Sequence, residues 1–329
     1  FGAVINAGAI DWSFTVNDSL LDHLGVGETI EQSYDVTVTD GSGGTDTETV
    51  TITMTGTNDA PVIGSGDTTG GVTELTDADA GENIDNLTDS GSLAFADVDV
   101  TDSHTVNSTD NGAGYIGSFA AVISGGTIDW NFTVNDSLLE SLGVGDTIVQ
   151  SYDVTVSDGN GGTDIETVTI TMTGTNDAPV ITAGGDVTGN VQEDTSLSAS
   201  GDLDVTDADN GASATWSGTG GGTGTYGDLA VDSDGTWVYT LRNGDANVQA
   251  LAVGESQDDV FTVVVTDEHG ATDTETVTIA ATGTNDGVIV QDDAFTILEG
   301  EALSGDLFAD NGNGPDFDID GDQLSVVSI

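Results

Sequence analysis

Cysteine is absent from the 329 residues, and lysine and arginine together number one, Arg242. Without cysteine, neither a disulfide nor a thiolate metal site can brace the chain. That one cation faces 59 aspartates and glutamates, for a net charge of −58. Nucleic acid is thereby excluded as a partner, because phosphate binding draws its affinity from Lys and Arg, and an anionic membrane surface is repelled as well. No apolar run approaches the roughly 18 residues that span a bilayer, so no membrane insertion is expected. The chain opens at Phe1 with neither an initiator methionine nor a signal-like segment, as expected of a piece excised from a longer polypeptide. Aromatics make up only 5% and glycines number 47, a composition suited to several small cores. Cations are the partners this charge favours.

What the sequence does contain is a repeat. The eight residues GTNDAPVI stand at 56–63 and again at 174–181, and GTNDGVIV follows at 283–290. Residues 10–63 and 128–181, compared at an offset of 118, differ at 8 of 54 positions. A third, more diverged copy places GTWVYTL at 235–241 and ends at 263–286, giving a spacing of 283 − 174 = 109. Self-similarity at this spacing means a tandem array of domains.

Within each copy the apolar period is two, the mark of strands with one buried face. Tyr34, Val36 and Val38 alternate with polar residues, DGSGGTD supplies a turn, and Val50, Ile52 and Met54 alternate with threonines. Trp12, Phe14 and Val16 form a further inward set, matched by Trp130, Phe132, Val134 and by Trp237, Tyr239, Leu241. Between these strands NDSLLDHLGVGE predicts one or two helical turns, capped by Asp18 or Ser19 and stopped at Gly25. The fold class expected is all-β, with Ig-like or cadherin-like sandwiches of about 110 residues in an extended tandem array. The boundaries expected are a C-terminal half-module at 1–61, complete modules at 62–179 and 180–287, and the opening of a further module at 288–329.

GTNDAP lies between the last strand of one copy and the first of the next, and Pro61 and Pro179 stiffen it. Asn58, Asp59, Asn176 and Asp177 place side-chain oxygens in these linkers. Asp97 and Asp99 align with Asp207 and Asp209, so an Asp-x-Asp recurs. Glu74 and Glu193 follow the linker aspartates by 15 and 16 residues. Calcium takes six to eight oxygens from carboxylates and carbonyls, and this set supplies them. Ordinary Asn-Asp turn chemistry and a solvated acidic face are the competing readings.

EDTSLSASGDLDVTDAD, YGDLAVDSDGTWVYTL and VQALAVGESQDDVFTVVVTDEHGATDTETVTIAATGTND closely resemble the VCBS repeats of giant bacterial surface adhesins of the RTX type. The resemblance covers nearly all of the third copy, the second with an insertion around LTDADAGENIDN, and the first from about its middle. Residues 289–329 resemble the opening of a related cadherin-like module. The resemblance implies secreted, non-enzymatic modules of an adhesin stalk that serves cell adhesion and biofilm formation, with calcium at the junctions. Carried residue by residue, it would use Asn176, Asp177, Glu193, Asp207 and Asp209 at one junction and Asn58, Asp59, Glu74, Asp97 and Asp99 at the one before. Asp158 and Asp40 would be ligands from the lower domain. The third linker departs from the pattern, with Gly287 in place of proline.

Three other features point away from catalysis or towards nothing specific. DFDIDG at 316–321 starts like an EF-hand loop, but Val327 stands where a bidentate Glu belongs. GGTGTYGDL at 221–229 is read as a loop. The histidines do not recur, since His23 is matched by Ser141 and His269 by Asn160, and carboxylate pairs found in every module suggest a job every module shares. The functional expectation is a calcium-rigidified stalk segment whose partners are calcium and neighbouring repeats, without a small-molecule ligand. The alternatives are a glycan- or protein-binding module and an accessory region of a large secreted enzyme.

Overall fold

The computed structural model describes residues 1–182, 186–218, 222–309 and 312–328. The chain divides into two compact units, Phe1–Thr175 and Asn176–Ile329. Nearly all regular structure is β, as the period-two pattern requires.

The first unit begins with β1 (Gly2–Asn6), β2 (Ala9–Ser13), β3 (Thr29–Thr39) and β4 (Thr45–Thr55), which pair only as β1-β2 and β3-β4. It continues with β5 (Val62–Gly66), β6 (Thr69–Thr73), β7 (Asn86–Ala96), β8 (Thr105–Asp110), β9 (Ser118–Ser124), β10 (Thr127–Asn135), β11 (Thr147–Ser157) and β12 (Thr163–Thr173). These form two four-stranded sheets, β5-β7-β10-β9 and β6-β12-β11-β8, with β6 parallel to β12. Their inward residues, Trp130, Phe132, Tyr152, Val154, Ile170 and Met172 among them, make one core.

The second unit repeats this plan with β13 (Val180–Thr182), β14 (Thr188–Gln192), β15 (Ser198–Asp202), β16 (Asp204–Thr206), β17 (Ala214–Gly218), β18 (Gly227–Val231), β19 (Thr236–Leu241), β20 (Ser256–Asp267) and β21 (Thr272–Thr282). The sheets are β14-β21-β20-β17, β15-β19-β18 and the pair β13-β16, around a core that includes Trp237, Tyr239, Val263 and Ile279. The short strands β22 (Val288–Ile289) and β23 (Phe317–Asp318) pair beyond it. Val288 faces Asp318 as Val62 faces Ala96 and Val180 faces Thr206, so the first strand after each linker is paired in the same way.

Two tryptophans anchor the sandwiches through their neighbours. Trp130 pairs across the sheet with Gly91, and Trp237 with Gly201. A Cβ at Gly91 would lie 2.4 Å from Trp130, and one at Gly201 would lie 2.6 Å from Trp237. Each indole therefore needs glycine opposite it. Each indole N–H is satisfied by a backbone carbonyl, Asp67 at 2.7 Å and Asp186 at 2.8 Å.

Trp12 departs from the expected inward position. It is 51% exposed, whereas Trp130 is 2% exposed. The sequence alternation is the same, but residues 1–55 carry no counterparts of β5 to β8, so nothing covers that face. The helical turn is also shorter than expected: a 3₁₀ turn at Asp18–Leu20 whose cap is Asn17, accepting from the Ser19 amide at 3.3 Å. Residue 221 of GGTGTYGDL lies outside the described residues, and 222–226 is a loop entering β18. Among the described residues, no helix is long and apolar enough to cross a membrane.

Candidate metal centre

One backbone arrangement recurs at all three linkers. The amide of Asp59 donates to Asp99 Oδ2 at 2.8 Å, that of Asp177 to Asp209 Oδ2 at 3.1 Å, and that of Asp286 to Asp320 Oδ2 at 2.7 Å. The Asp-x-Asp folds on itself each time, with Asp99 donating to Asp97 at 2.9 Å, Asp209 to Asp207 at 3.0 Å and Asp320 to Asp318 at 3.0 Å. The linker asparagine bridges to the next carbonyl, from Asn58 at 3.1 Å, Asn176 at 2.8 Å and Asn285 at 2.8 Å. DFDIDG is thus neither an EF-hand nor a featureless loop. Its Asp318 and Asp320 are the third Asp-x-Asp, a match hidden in the sequence by a different spacing from the linker.

Asn58 also donates to Asp158 at 2.8 Å, and Asn176 to Asp267 at 2.8 Å. Asp158 closes the β11–β12 turn by accepting from the amides of Asn160, Gly161 and Gly162 at 2.7, 3.0 and 3.0 Å, and the Asn58 amide is the chief cause holding its carboxyl below the usual range. Burial opposes ionisation of Asp267, yet Asn176 and its turn amides hold it low as well. Asp158 therefore serves the linker that precedes its own module, not the one that follows as expected. The antiparallel β11–β12 hairpin brings its turn back to the end where β5 starts. Asp40 takes the same turn-closing role, accepting from Ser42 at 2.7 Å and Gly44 at 3.0 Å, but is exposed.

Glu74 and Glu193 also lie elsewhere than expected. Glu74 accepts from the Thr175 amide at 2.8 Å, beside the C-terminal end of β12. The 11 residues of β12 separate it from Asn58, Asp59, Asp97 and Asp99 by about 35 Å. Glu193 likewise accepts from Thr284 at 3.2 Å, and its pKa is raised, by burial first and then by Asp286, Asp194 and Asp320. It sits at the end of its module opposite Asn176, Asp177, Asp207 and Asp209. A parallel strand, β6 or β14, carries each glutamate away from the linker that precedes it.

Several acidic groups at these ends were not singled out from the sequence. Asp18, Asp22 and Asp59 line a recess of 110 Å³. Asp59 is pushed up by burial and by Asp99, Asp22, Asp18 and Asp97. Carboxylate oxygens of Asp97, Asp102 and Asp158 lie within 4.8 Å of one another, a spacing able to hold a metal ion. His104 reaches Asp97 at 2.8 Å. In the second module, Asp136 is fully buried and accepts from Leu75 and Asn83 at 2.9 Å each. Glu140 beside it is raised by burial, with Glu82, Asp136 and Asp77 adding to the shift and an Asn83 contact opposing it. The signal in the sequence was the recurrence of an acid at Asp18, Asp136 and Asp245 and at Asp22 and Glu140.

Residues 176–283 match a family model described as a bacterial cadherin-like domain. No protein of curated function matches the chain. Among solved structures, the chain is similar to extracellular cadherin domains 1–4 of protocadherin gamma B7, with 12% identity over 90% of this chain and 68% of that chain and a TM-score of 0.38. It is similar to the extracellular domain of protocadherin gamma B4, with 19% identity over 78% of this chain and 38% of that chain and a TM-score of 0.37. The third is mouse protocadherin-24 EC1–3, with 14% identity, 86% of each chain covered and a TM-score of 0.36.

The donor set fits a hard divalent cation. Buried oxygens of Asn58, Asp99, Asp207, Asp209, Asp286 and Asp320 accept no hydrogen bond among the described residues. A buried carboxylate oxygen without a donor is costly, and six of them recurring at linker positions are what an oxygen-coordinated ion would satisfy.

Proposed function

We propose that the chain is a calcium-rigidified stalk segment of a large secreted bacterial surface adhesin, supporting cell adhesion and biofilm formation. The observation that carries this reading is the threefold linker arrangement, in which a linker aspartate amide is tied to an Asp-x-Asp that keeps a buried oxygen without a donor. Cadherin-like domains generally bind calcium, and the match over 176–283 supports an extracellular, non-enzymatic module. The ligands proposed are Asn58, Asp59, Asp97, Asp99 and Asp158 with Asp18 and Asp22 at the first linker. At the second linker they are Asn176, Asp177, Asp207 and Asp209, with Asp267 in the role of Asp158. Glu74 and Glu193 act at the C-terminal ends of their modules, and Asp40 holds the position equivalent to Asp158 in the first repeat.

When bound, the ion supplies positive charge where carboxylates repel. The chain's own residues fix the geometry: the turn amides hold Asp158 and Asp267, and the linker amides aim the Asp-x-Asp. Extracellular sites bind calcium at roughly 10⁻⁴–10⁻³ M, and at about 100 times Kd each site contributes about 2.7 kcal/mol. The test is thermal melting in EDTA, in millimolar Ca²⁺, and in NaCl of matched ionic strength. Calcium is expected to raise the transition well beyond the NaCl control, and identical melting in all three solutions would refute the reading.

A further inference from the structure

The repeats supply one pair of acidic positions at the C-terminal end of each module: Asp18 and Asp22, Asp136 and Glu140, Asp245 and Gln249. Leu21, Leu139 and Val248 between them occupy the same place, each donating its amide to the carbonyl of the first pair member at 2.7, 2.8 and 3.0 Å. The third pair differs in charge. Gln249 is neutral, and Asp245 takes the Nε of Arg242 at 2.8 Å.

Arg242 is the only basic residue of the chain, and it is held there by more than Asp245. Its guanidinium reaches Asp228 at 2.6 Å and the carbonyls of Gly224 and Thr225 at 2.8 and 3.0 Å. The Gln249 amide donates to Glu193 Oε1 and to the Asn243 carbonyl, the latter at 2.8 Å. Glu193 is therefore already engaged by an amide from its own module. The pair contributes −2 at the first and second modules, and −1 + 1 + 0 = 0 at the third once Arg242 is included. The linker differs as well, because Gly287 stands where Pro61 and Pro179 stand, exchanging a fixed φ for the most permissive residue.

We infer that the linker at 283–287 is a weak cation site, built as the joint that releases first when divalent cation falls. The inference rests on the calcium reading above and adds a ranking within it. Affinity of oxygen sites for Ca²⁺ follows the charge of the ligand set. Asp286, Asp318 and Asp320 retain the linker geometry, so a cation still binds. It meets two fewer charges from the preceding module and has to displace the Gln249 amide to reach Glu193. At the first linker Asp18 and Asp22 face Asp59 across the recess with no base beside them among the described residues.

The experiment is hydrogen–deuterium exchange of the 329-residue chain across a Ca²⁺ titration, followed by mass spectrometry of peptides covering 56–60 and 283–287. Protection at 283–287 is expected to require at least tenfold more Ca²⁺ than at 56–60. Gln249→Glu is expected to bring the two midpoints together, and Asp22→Asn to raise the 56–60 midpoint while leaving 283–287 unchanged. Equal midpoints in the unmodified chain, or a 283–287 midpoint unmoved by Gln249→Glu in a variant that melts normally, would overturn the ranking while leaving the calcium reading standing. No Ca²⁺-dependent protection at either linker would overturn both.

Discussion

The backbone amide of Asp286 donates to Asp320 at 2.7 Å, and that of Asp59 donates to Asp99 at 2.8 Å, across unrelated intervening sequences. In each pair one carboxylate oxygen is spent on the linker amide and the other is left buried without a donor in Asp320 and Asp99. Removing the side chain therefore costs both the tether and a cation ligand. Asp99→Ala is expected to abolish most of the Ca²⁺-dependent protection of 56–60 while leaving 283–287 at its unmodified midpoint. Loss of protection at both linkers would mean that the aspartate acts on folding and not on its own linker.

The tryptophans give a sharper contrast. Trp237 is fully buried, and deleting a buried large aromatic costs about 3–5 kcal/mol, so Trp237→Ala is expected to lower the denaturation midpoint of its sandwich by that amount. Trp12 holds the equivalent place in its repeat but is half exposed, and Trp12→Ala is expected to fall within about 0.5 kcal/mol of the unmodified chain, as surface changes do. Chemical denaturation followed by tryptophan fluorescence reads both, and equal losses would show that the repeats are packed alike.

That pair also marks what could be read in advance. Alternation fixes which face of a strand is apolar, so Trp130 and Trp237 were legible as core. Whether the face is covered depends on strands far away in sequence, which is why Trp12 was misplaced. The linker Asn-Asp and Asp-x-Asp were legible because they recur at constant spacing. Glu74 and Glu193 were grouped with the wrong linker because proximity in sequence stands in poorly for proximity in space once a parallel strand intervenes. Asp318 and Asp320 were masked by a shorter, unrelated sequence leading to them, and Asp158 by a hairpin whose direction the local pattern does not state.

Asp259 carries a second structural prediction. It is 3% exposed and accepts from the amides of Thr225, Tyr226 and Gly227 at 2.7, 2.9 and 3.0 Å and from the Tyr239 hydroxyl at 2.7 Å. Burial, then the bond to Asp259, push the Tyr239 phenol far above its ordinary range. In the second module Gln150 and Phe132 occupy the corresponding places, so the lock belongs to the third alone. Asp259→Ala strands these donors and is expected to destabilise that sandwich by about 3 kcal/mol or more. Calorimetry showing a loss under about 1 kcal/mol would mean that water replaces the carboxylate without cost.

The last prediction concerns pH. Asp59, Asp209, Asp286 and Glu193 all have raised pKa values, through burial first and neighbouring carboxylates in addition. A raised carboxyl binds its proton more tightly in the folded state, so without a cation these groups weaken the fold while ionised. Lowering the pH from neutrality through their folded values towards the ordinary 3.8 of Asp and 4.5 of Glu relieves that penalty. Asp158 and Asp267 act oppositely, since their folded values lie below 3.8 and their contribution is lost only as pH falls beneath it. The general repulsion of a chain at −58 also eases with acidification. In EDTA the melting temperature is therefore expected to rise between pH 7 and about pH 5. In millimolar Ca²⁺ it is expected to start higher and change less, because protons compete for the same oxygens and the stabilisation by calcium shrinks as pH falls. Melting curves at several pH values with and without Ca²⁺ measure both trends. An EDTA curve that falls steadily from pH 7 to pH 5 would mean that the linker carboxylates are solvated surface charges rather than a cluster held together against its own repulsion.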